Sequence, residues 1–331
     1  MRPFTYARPT SIDGIHAVQS ATGARILAGG TTLYDLMKLG IETPGHLVDV
    51  TSIAGLDEIR SHQDELIFGA LVTMSDASAH PAVLQRAPVL AESLSKAASQ
   101  QLRNMATLAG NLLQRTRCAY FRNGPEYPCN KRMPGSGCAA LDGLDRGHAL
   151  FGGSRSCIAV YPGDWAVALA ALDATVDVHG SRGMRTLEVA NLHRLPGDTP
   201  HLETVLEPDE MILNIRVPVG RLGQASTYHK IRDRESYAFA LVSAAVALEL
   251  DDGMVRQARI ALGGVATRPW RVPAAEAALA GQRLDRAAAL EAGRVAFADA
   301  RPGLHNGFKV ALGTAAVADA LMIAAERSPS R

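Results

Sequence analysis

Arg25-Ile26-Leu27-Ala28-Gly29-Gly30-Thr31-Thr32-Leu33-Tyr34-Asp35-Leu36-Met37-Lys38-Leu39 runs from an apolar stretch through a glycine pair into residues with amphipathic helical spacing. The pattern predicts a strand over 25–28 and a helix over 33–39, with Thr31 or Thr32 as its N-cap. A glycine pair at such a junction lets the backbone approach a phosphate closely, and the amides and hydroxyls that follow can donate to its oxygens. Alone, the same loop also serves a purely steric turn. A second segment, Thr107-Leu108-Ala109-Gly110-Asn111, offers the same chemistry about eighty residues later. Two such loops together fit a pyrophosphate.

Outward from the first loop the pattern is α+β. Strands are predicted at 46–50 and 66–71, a helical turn at 53–56, a helix from Thr73 through Ala79 and a longer one over 87–99. Gly110-Asn111 breaks the segment that follows. After residue 155 periodicity returns as a helix over 165–172, a strand over 174–179, a loop at Pro196-Gly197-Asp198-Thr199-Pro200 and a strand over 211–217. A domain boundary is expected near 220. Beyond it the reading is strand 226–231, helix 239–248, strand 255–262, helix 273–280 and two Ala-rich helices ending near Ala325, with no internal repeat.

Composition narrows the function classes. The 331 residues carry 34 Lys+Arg against 33 Asp+Glu, a net charge of +1 that implies no nucleic-acid partner. Apolar residues make up 47% of the chain, enough to bury real cores and to exclude disorder. The longest apolar stretch read in the sequence, 238–248, is far short of the roughly 20 residues that span a bilayer, so no membrane span is expected. The N-terminus lacks the apolar segment of a secretory signal, and no export signal is expected on this chain.

Between Arg115 and Arg155, Gly, Pro and Arg replace periodic apolar residues, and the only four cysteines, Cys118, Cys129, Cys138 and Cys157, lie in or just beyond this stretch. A loop of this length needs something to order it. Ten, eight and eighteen residues separate the cysteines. Disulfides suit exported proteins, and a four-cysteine zinc site usually shows paired C-x2–4-C knuckles, which are absent here. An iron–sulfur cluster needs four thiolates, tolerates varied spacing and gains from basic neighbours such as Arg117, Arg122, Lys131 and Arg132. Spacing alone leaves these readings, and that of four unligated thiols, open.

Gly135-Ser136-Gly137-Cys138-Ala139-Ala140 matches the dinucleotide fingerprint literally, but no strand precedes it, so a Rossmann fold is not indicated. No Walker A loop, HExxH or GxSxG is present, and the ten His are dispersed.

Both glycine loops, together with Tyr161-Pro162-Gly163-Asp164-Trp165-Ala166, Lys230-Ile231-Arg232-Asp233-Arg234-Glu235-Ser236-Tyr237-Ala238 and Leu262-Gly263-Gly264-Val265-Ala266-Thr267-Arg268-Pro269, occur in an order that resembles the FAD-binding medium subunit of the xanthine dehydrogenase and molybdenum hydroxylase family. The likeness covers nearly the whole chain. Most subunits of that family lack a Cys-rich insertion. In having one, over 112–158, this chain is similar to the FAD subunits of bacterial periplasmic aldehyde oxidoreductases.

The resemblance implies an α+β fold: two FAD-binding subdomains of the vanillyl-alcohol-oxidase (PCMH) type, about 1–56 and 57–220, then a C-terminal domain over 221–331 of small antiparallel sheet and helices. It implies that Leu27, Ala28, Gly29, Gly30, Thr31, Thr32 and Leu33, with Thr107, Leu108, Ala109, Gly110 and Asn111, wrap the FAD pyrophosphate. Asp164 would hydrogen-bond within the flavin site, Ile212 would line it and Lys230 would sit near the isoalloxazine. Relatives with covalent flavin place a His in the first loop, where this chain has Thr31 and Thr32, so the FAD is expected to be non-covalent. The insertion is implied to hold a [4Fe-4S] cluster through Cys118, Cys129, Cys138 and Cys157.

Functionally, the resemblance implies an electron-transfer subunit with no catalytic residue of its own. A large molybdopterin-binding partner would oxidise an aldehyde or heteroaromatic substrate, a small [2Fe-2S] partner would relay electrons, and FAD here would deliver them to an external acceptor. The complex would be periplasmic by co-export with a signal-bearing partner, or cytoplasmic. Two rival readings are a self-contained flavoprotein oxidoreductase and a non-flavin metal-binding assembly module.

Overall fold

The computed structural model describes residues 1–19 and 23–328. Its strands, in chain order, are β1 (Thr5–Ala7), β2 (Ala24–Leu27), β3 (His46–Asp49), β4 (Ile59–Ser61), β5 (Glu65–Gly69), β6 (Thr175–Gly180), β7 (Gly183–Glu188), β8 (Met211–Pro218), β9 (Ser226–Ile231), β10 (Val242–Asp251), β11 (Met254–Gly263) and β12 (Trp270–Arg271). They form three sheets: a parallel one in the order β1-β3-β2, an antiparallel one in the order β4-β5-β8-β6-β7, and an antiparallel one in the order β12-β11-β10-β9. The chain is α+β, as expected.

The all-apolar helix Trp165–Ala171 lies at the centre. It is buried from end to end, and Trp165 meets Phe68 of β5 edge to face, with ring centroids 5.7 Å apart. The same core takes in Tyr228, Ala245, Ala247 and Ala261 of the third sheet. That sheet's other face packs Val242, Ala244, Val246 and Leu248 against the helix Phe308–Glu326, and the helix Arg286–Ala296 packs on that helix in turn. A β-sheet thus closes the central core on one side and carries a second core on the other.

Residues 239–248, read as a helix, are largely the central strand β10. Burial on both faces erases the alternation that marks a half-exposed strand and leaves a continuous apolar run. β10 turns into β11 through Asp252 and Gly253, both at positive φ (49° and 75°), as a two-residue hairpin turn demands. The helix read over 87–99 is shorter, Pro88–Ser95, and is followed by a separate turn, Gln100–Arg103, capped by Ser99. The first-loop helix runs Leu33–Lys38; Thr32 occupies the N-cap position without a side-chain cap bond. Phe308–Glu326 is, by length and composition, apolar enough to cross a membrane. Here it is a core helix: Lys309, Ala316, Val317, Ala320, Leu321 and Ala324 are buried against the third sheet and its neighbouring helix.

The Cys-rich insertion is ordered by hydrogen bonds rather than by periodic elements. Asn130 N donates to Gly137 O (2.7 Å), Gly137 N to Asn130 Oδ1 (2.9 Å) and Ala139 N to Pro128 O (2.9 Å), closing a small hairpin that sets Cys129 opposite Cys138. The literal dinucleotide fingerprint falls inside this turn, with Gly135 and Gly137 at positive φ. Arg132 pins the hairpin to the short helix Ala119–Arg122 by donating to the carbonyls of Tyr120 (3.0 Å) and Phe121 (2.9 Å).

Candidate functional site

The two glycine loops touch. A Cβ on Gly29 would stand 1.8 Å from the Met105 carbonyl oxygen and 2.7 Å from its carbon, so only glycine lets the first loop close on the segment leading into the second. Gly30 takes a left-handed φ of 71° and turns the chain into the helix Leu33–Lys38. Among the described residues, Gly29 through Leu33 donate no backbone hydrogen bond, and all are half-buried, so the loop presents a row of amides on an accessible rim.

The second loop is fixed from behind. Leu108 N donates to Val72 O (2.9 Å), Ala109 N to Ala70 O (3.2 Å) and Met74 N to Ala106 O (2.9 Å), while Ala70 N reaches Leu213 O on β8 (2.9 Å). Thr107 caps the helix Leu108–Leu112, its hydroxyl accepting from Gly110 N (3.4 Å). The Asn111 side chain offers its amide to Met74 Sδ (3.5 Å), while its buried Oδ1 has no partner among the described residues. An unpaired buried acceptor at the end of a glycine loop, beside a cradle that a Cβ would fill, fits a ligand with a donor to offer, such as a hydroxyl of a bound nucleotide cofactor.

Asp164 and Lys230 come together although 66 residues separate them. Lys230 Nζ donates to Asp164 Oδ2 (2.7 Å) and to the Lys96 carbonyl (3.0 Å). The Tyr228 hydroxyl contacts Asp164 Oδ1 (2.6 Å) and Ser243 Oγ (2.8 Å). Asp164 ends the loop before the central helix and Lys230 lies on β9, so the pair ties the central core to the C-terminal sheet. Burial pushes the Asp164 carboxyl up, and the Lys230 ammonium and Tyr228 hydroxyl pull it back. Ile212 is fully buried on β8, opposite Val178, in the same core as Leu108 and Trp165.

The four cysteines are free thiols lining one pocket together with Phe121, Pro128 and Ala140. Burial pushes the Cys118 thiol up to about 11 and raises Cys157, and each thiolate would feel the charge of its neighbours, as expected for thiols sharing a site. Among the described residues no three His, Cys, Asp or Glu side chains form a group that could hold a single metal ion. One zinc ion would draw its four sulfurs to within about 4 Å of one another. A cluster of several irons, each taking one thiolate, would suit four thiols that line one pocket.

This pocket is docked on the first glycine loop. Leu36, from the helix that the loop opens, packs against Phe121 and Cys129. Asp35 of the same helix accepts from Arg122 (2.7 Å) and Arg117 (3.2 Å). Arg115, where the second loop leaves, bridges Glu42 (2.6 Å) and Glu203 (2.9 Å), and Glu203 also takes Lys131 (2.6 Å). A second pocket shares Thr116, Lys131, Cys157 and Ala159 with the cysteine pocket and extends to Leu112, the last residue of the second-loop helix.

Residues 2–220 match the FAD-binding domain in molybdopterin dehydrogenase, and residues 226–322 the CO dehydrogenase flavoprotein C-terminal domain. The chain belongs to the FAD-binding subunits of the molybdenum hydroxylases. It is 47% identical to the aldehyde oxidoreductase FAD-binding subunit PaoB of Escherichia coli over 97% of this chain and 98% of that one. With the nicotine 6-hydroxylase medium subunit of Paenarthrobacter nicotinovorans it shares 30% identity over 87% and 85% of the two chains. The carbon monoxide dehydrogenase structure from Hydrogenophaga pseudoflava superposes with a TM-score of 0.78 at 27% identity, covering 99% of both chains. A molybdenum hydroxylase flavin subunit is part of an oxidoreductase, and the accessible loop amides meet that family's need to hold FAD.

Three participants escaped the sequence reading. Tyr228 lies two residues before Lys230 on β9, and strand alternation puts both on one face, a signal that could have nominated it. Met105 matters through its carbonyl alone, which no side-chain pattern reports. His148, whose Nε2 stands 3.2 Å from Cys118 Sγ, was one of ten scattered histidines, and the approach is made by tertiary docking.

Proposed function

We propose that this chain is the FAD- and [4Fe-4S]-carrying electron-transfer subunit of a molybdenum-dependent aldehyde oxidoreductase, working with a large molybdopterin-binding subunit and a small [2Fe-2S] subunit. The observation that carries the reading is the docking of the four-thiol pocket on the helix of the first glycine loop, through Leu36 and Asp35. The full-length likeness to the Escherichia coli aldehyde oxidoreductase subunit supports the aldehyde assignment.

In this reading the segments Leu27 through Leu33 and Thr107 through Asn111 wrap the FAD pyrophosphate without a covalent bond, and the unpaired amides of Gly29 through Leu33 donate to it. Asp164, Ile212 and Lys230 border the flavin, with Tyr228 fixing the Asp164 carboxylate. FAD takes up electrons singly and gives them up in pairs, which suits a junction between one-electron centres and an external acceptor. Cys118, Cys129, Cys138 and Cys157 are the cluster ligands, and Lys131 and the arginines around them offset its negative charge. Folded co-export with a partner that bears a twin-arginine signal would place the complex in the periplasm.

The test is to purify the complex anaerobically, quantify FAD, iron and acid-labile sulfide on this chain, and repeat with Cys129→Ser. The reading expects iron and sulfide in equal amounts, about four of each per flavin, and loss of that iron with flavin retained in the variant. Flavin without iron would remove the cluster, and absence of flavin would remove the whole reading.

A further inference from the structure

The contact between Cys118 and His148 has no role in holding the fold that other bonds do not already fill. His148 is buried, and its backbone is fixed independently of its ring. Its amide donates to Asp145 O (2.7 Å), and its carbonyl accepts from Lys309 Nζ (3.2 Å) and Asn306 Nδ2 (3.3 Å). Asp145 is itself locked to the C-terminal domain, its carboxylate accepting from Leu304 N (2.8 Å) and His305 N (2.7 Å). Among the described residues the ring that this anchor carries has one hydrogen-bond partner, Cys118 Sγ at 3.2 Å from Nε2, and its buried Nδ1 has none. Tyr120 packs beside it, with ring centroids 6.2 Å apart.

From this geometry we infer that His148 is a positioning residue for the cluster: it donates an Nε2–H hydrogen bond to the Cys118 thiolate and thereby raises the cluster's reduction potential. The inference rests on the cluster reading given under Proposed function. A neutral imidazole carries one N–H, and Nε2 is the ring nitrogen that faces the sulfur. A cluster-bound thiolate only accepts, so the proton belongs on Nε2, where it is paired. Nδ1 is then an unpaired acceptor, a smaller penalty than a buried unpaired donor. Reduction adds one electron to the cluster and makes the ligand sulfurs more negative. A donor aimed at one of them stabilises the reduced state more than the oxidised one. The ring belongs to the insertion, but Asn306 and Lys309 of the C-terminal domain fix its backbone, so domain docking holds the donor against the thiolate.

His148→Phe keeps a ring of similar shape and removes the N–H; His148→Gln can keep a donor. Both are to be purified in the assembled complex and compared by iron content and by a potentiometric titration of the cluster signal followed by electron paramagnetic resonance. His148→Phe is expected to retain iron and to bind the last electron about tenfold less favourably, a fall of 59 mV for a one-electron couple. His148→Gln should recover part of that shift. Iron retained at an unchanged potential in His148→Phe would overturn the inference. Loss of iron in both variants with flavin kept would also overturn it, by making His148 an assembly residue. A wild-type chain without iron would instead refute the cluster reading on which the inference stands.

Discussion

Gly29→Ala tests whether the contact between the glycine loops is what holds FAD. The new Cβ would lie 1.8 Å from Met105 O, whereas ordinary contact begins at 3.4 Å, so the loops must part by 3.4 − 1.8 = 1.6 Å. The obstacle is backbone and cannot rotate aside, and the segment behind it is tied to Val72 and Met74 by amide bonds. Amide donors work over a window of about 0.5 Å in donor–acceptor distance, so a ligand gripped by both loops loses its bonds to one of them. Two charge-assisted bonds lost at about 1.5–3 kcal/mol each give about 3–6 kcal/mol, on the order of 100- to 10,000-fold in Kd. Overpacking should cost the fold itself only about 1–3 kcal/mol.

FAD titration of the deflavinated complex, followed by flavin fluorescence, measures the affinity, and near-ultraviolet circular dichroism checks the fold. Gly30→Ala is the informative neighbour: its Cβ would meet only Leu27 Cδ1 at 3.5 Å, and its cost is the left-handed φ of 71°, about 1–2 kcal/mol of local strain with the loops still in register. Gly45→Ala points into open space and serves as a blank. A folded Gly29→Ala complex that binds FAD as tightly as Gly30→Ala would refute the reasoning.

Lys230→Met strands the Asp164 carboxylate in the core and should cost about 3–5 kcal/mol in chemical denaturation; pairing it with Asp164→Asn should cost clearly less than the two singles summed, and strict additivity would deny the ion pair. His193 is buried, with Nε2 at 2.9 Å from Leu112 O, and burial holds it down to about 4. Its folded value lies below its unfolded one, so its contribution of about 3 kcal/mol is complete above pH 6.5 and is lost as pH falls toward 4. His193→Gln should flatten that part of the stability–pH curve, and an unchanged slope would show that His193 is not the group responsible.

How much of this was legible in the sequence depended on the range of the interaction. The first loop, its helix and the strand β9 are set by neighbours within a few residues, and periodicity with Gly and Thr found them within a residue or two. β10 was misread because its two faces serve two cores: Ala245 and Ala247 pack toward Trp165, while Val242, Ala244, Val246 and Leu248 face the helix Phe308–Glu326. The decisive local signal was Asp252-Gly253, a pair suited to the positive φ of a tight hairpin, which a helix-to-strand reading had no use for. The pairs Asp164–Lys230, Gly29–Met105 and Cys118–His148 span tens of residues and arise only when sheets and loops dock, so the sequence could name their members at best one at a time.

The placement of the cysteine insertion follows from the same docking. A segment with few periodic apolar residues cannot build a core of its own, so its order must come from its surroundings. It meets three of them. Leu36 and Asp35 hold it on the first-loop helix, Arg115 and Lys131 join it through Glu203 to the chain near Pro200, and at the start of the C-terminal helix Asp145 takes Leu304 and His305 while the His148 carbonyl takes Asn306 and Lys309. Lys309 is fully buried and bonds two carbonyls, of His148 (3.2 Å) and Gly264 (2.8 Å), and burial lowers it to about 8. Placing an ammonium there costs desolvation, and the two carbonyls it satisfies join the insertion to the turn after β11. A pocket whose walls come from three separately anchored segments keeps its shape only while both domains stay docked. The thiol pocket is therefore a product of the whole fold, which is why a motif spacing could raise the cluster reading but not decide it.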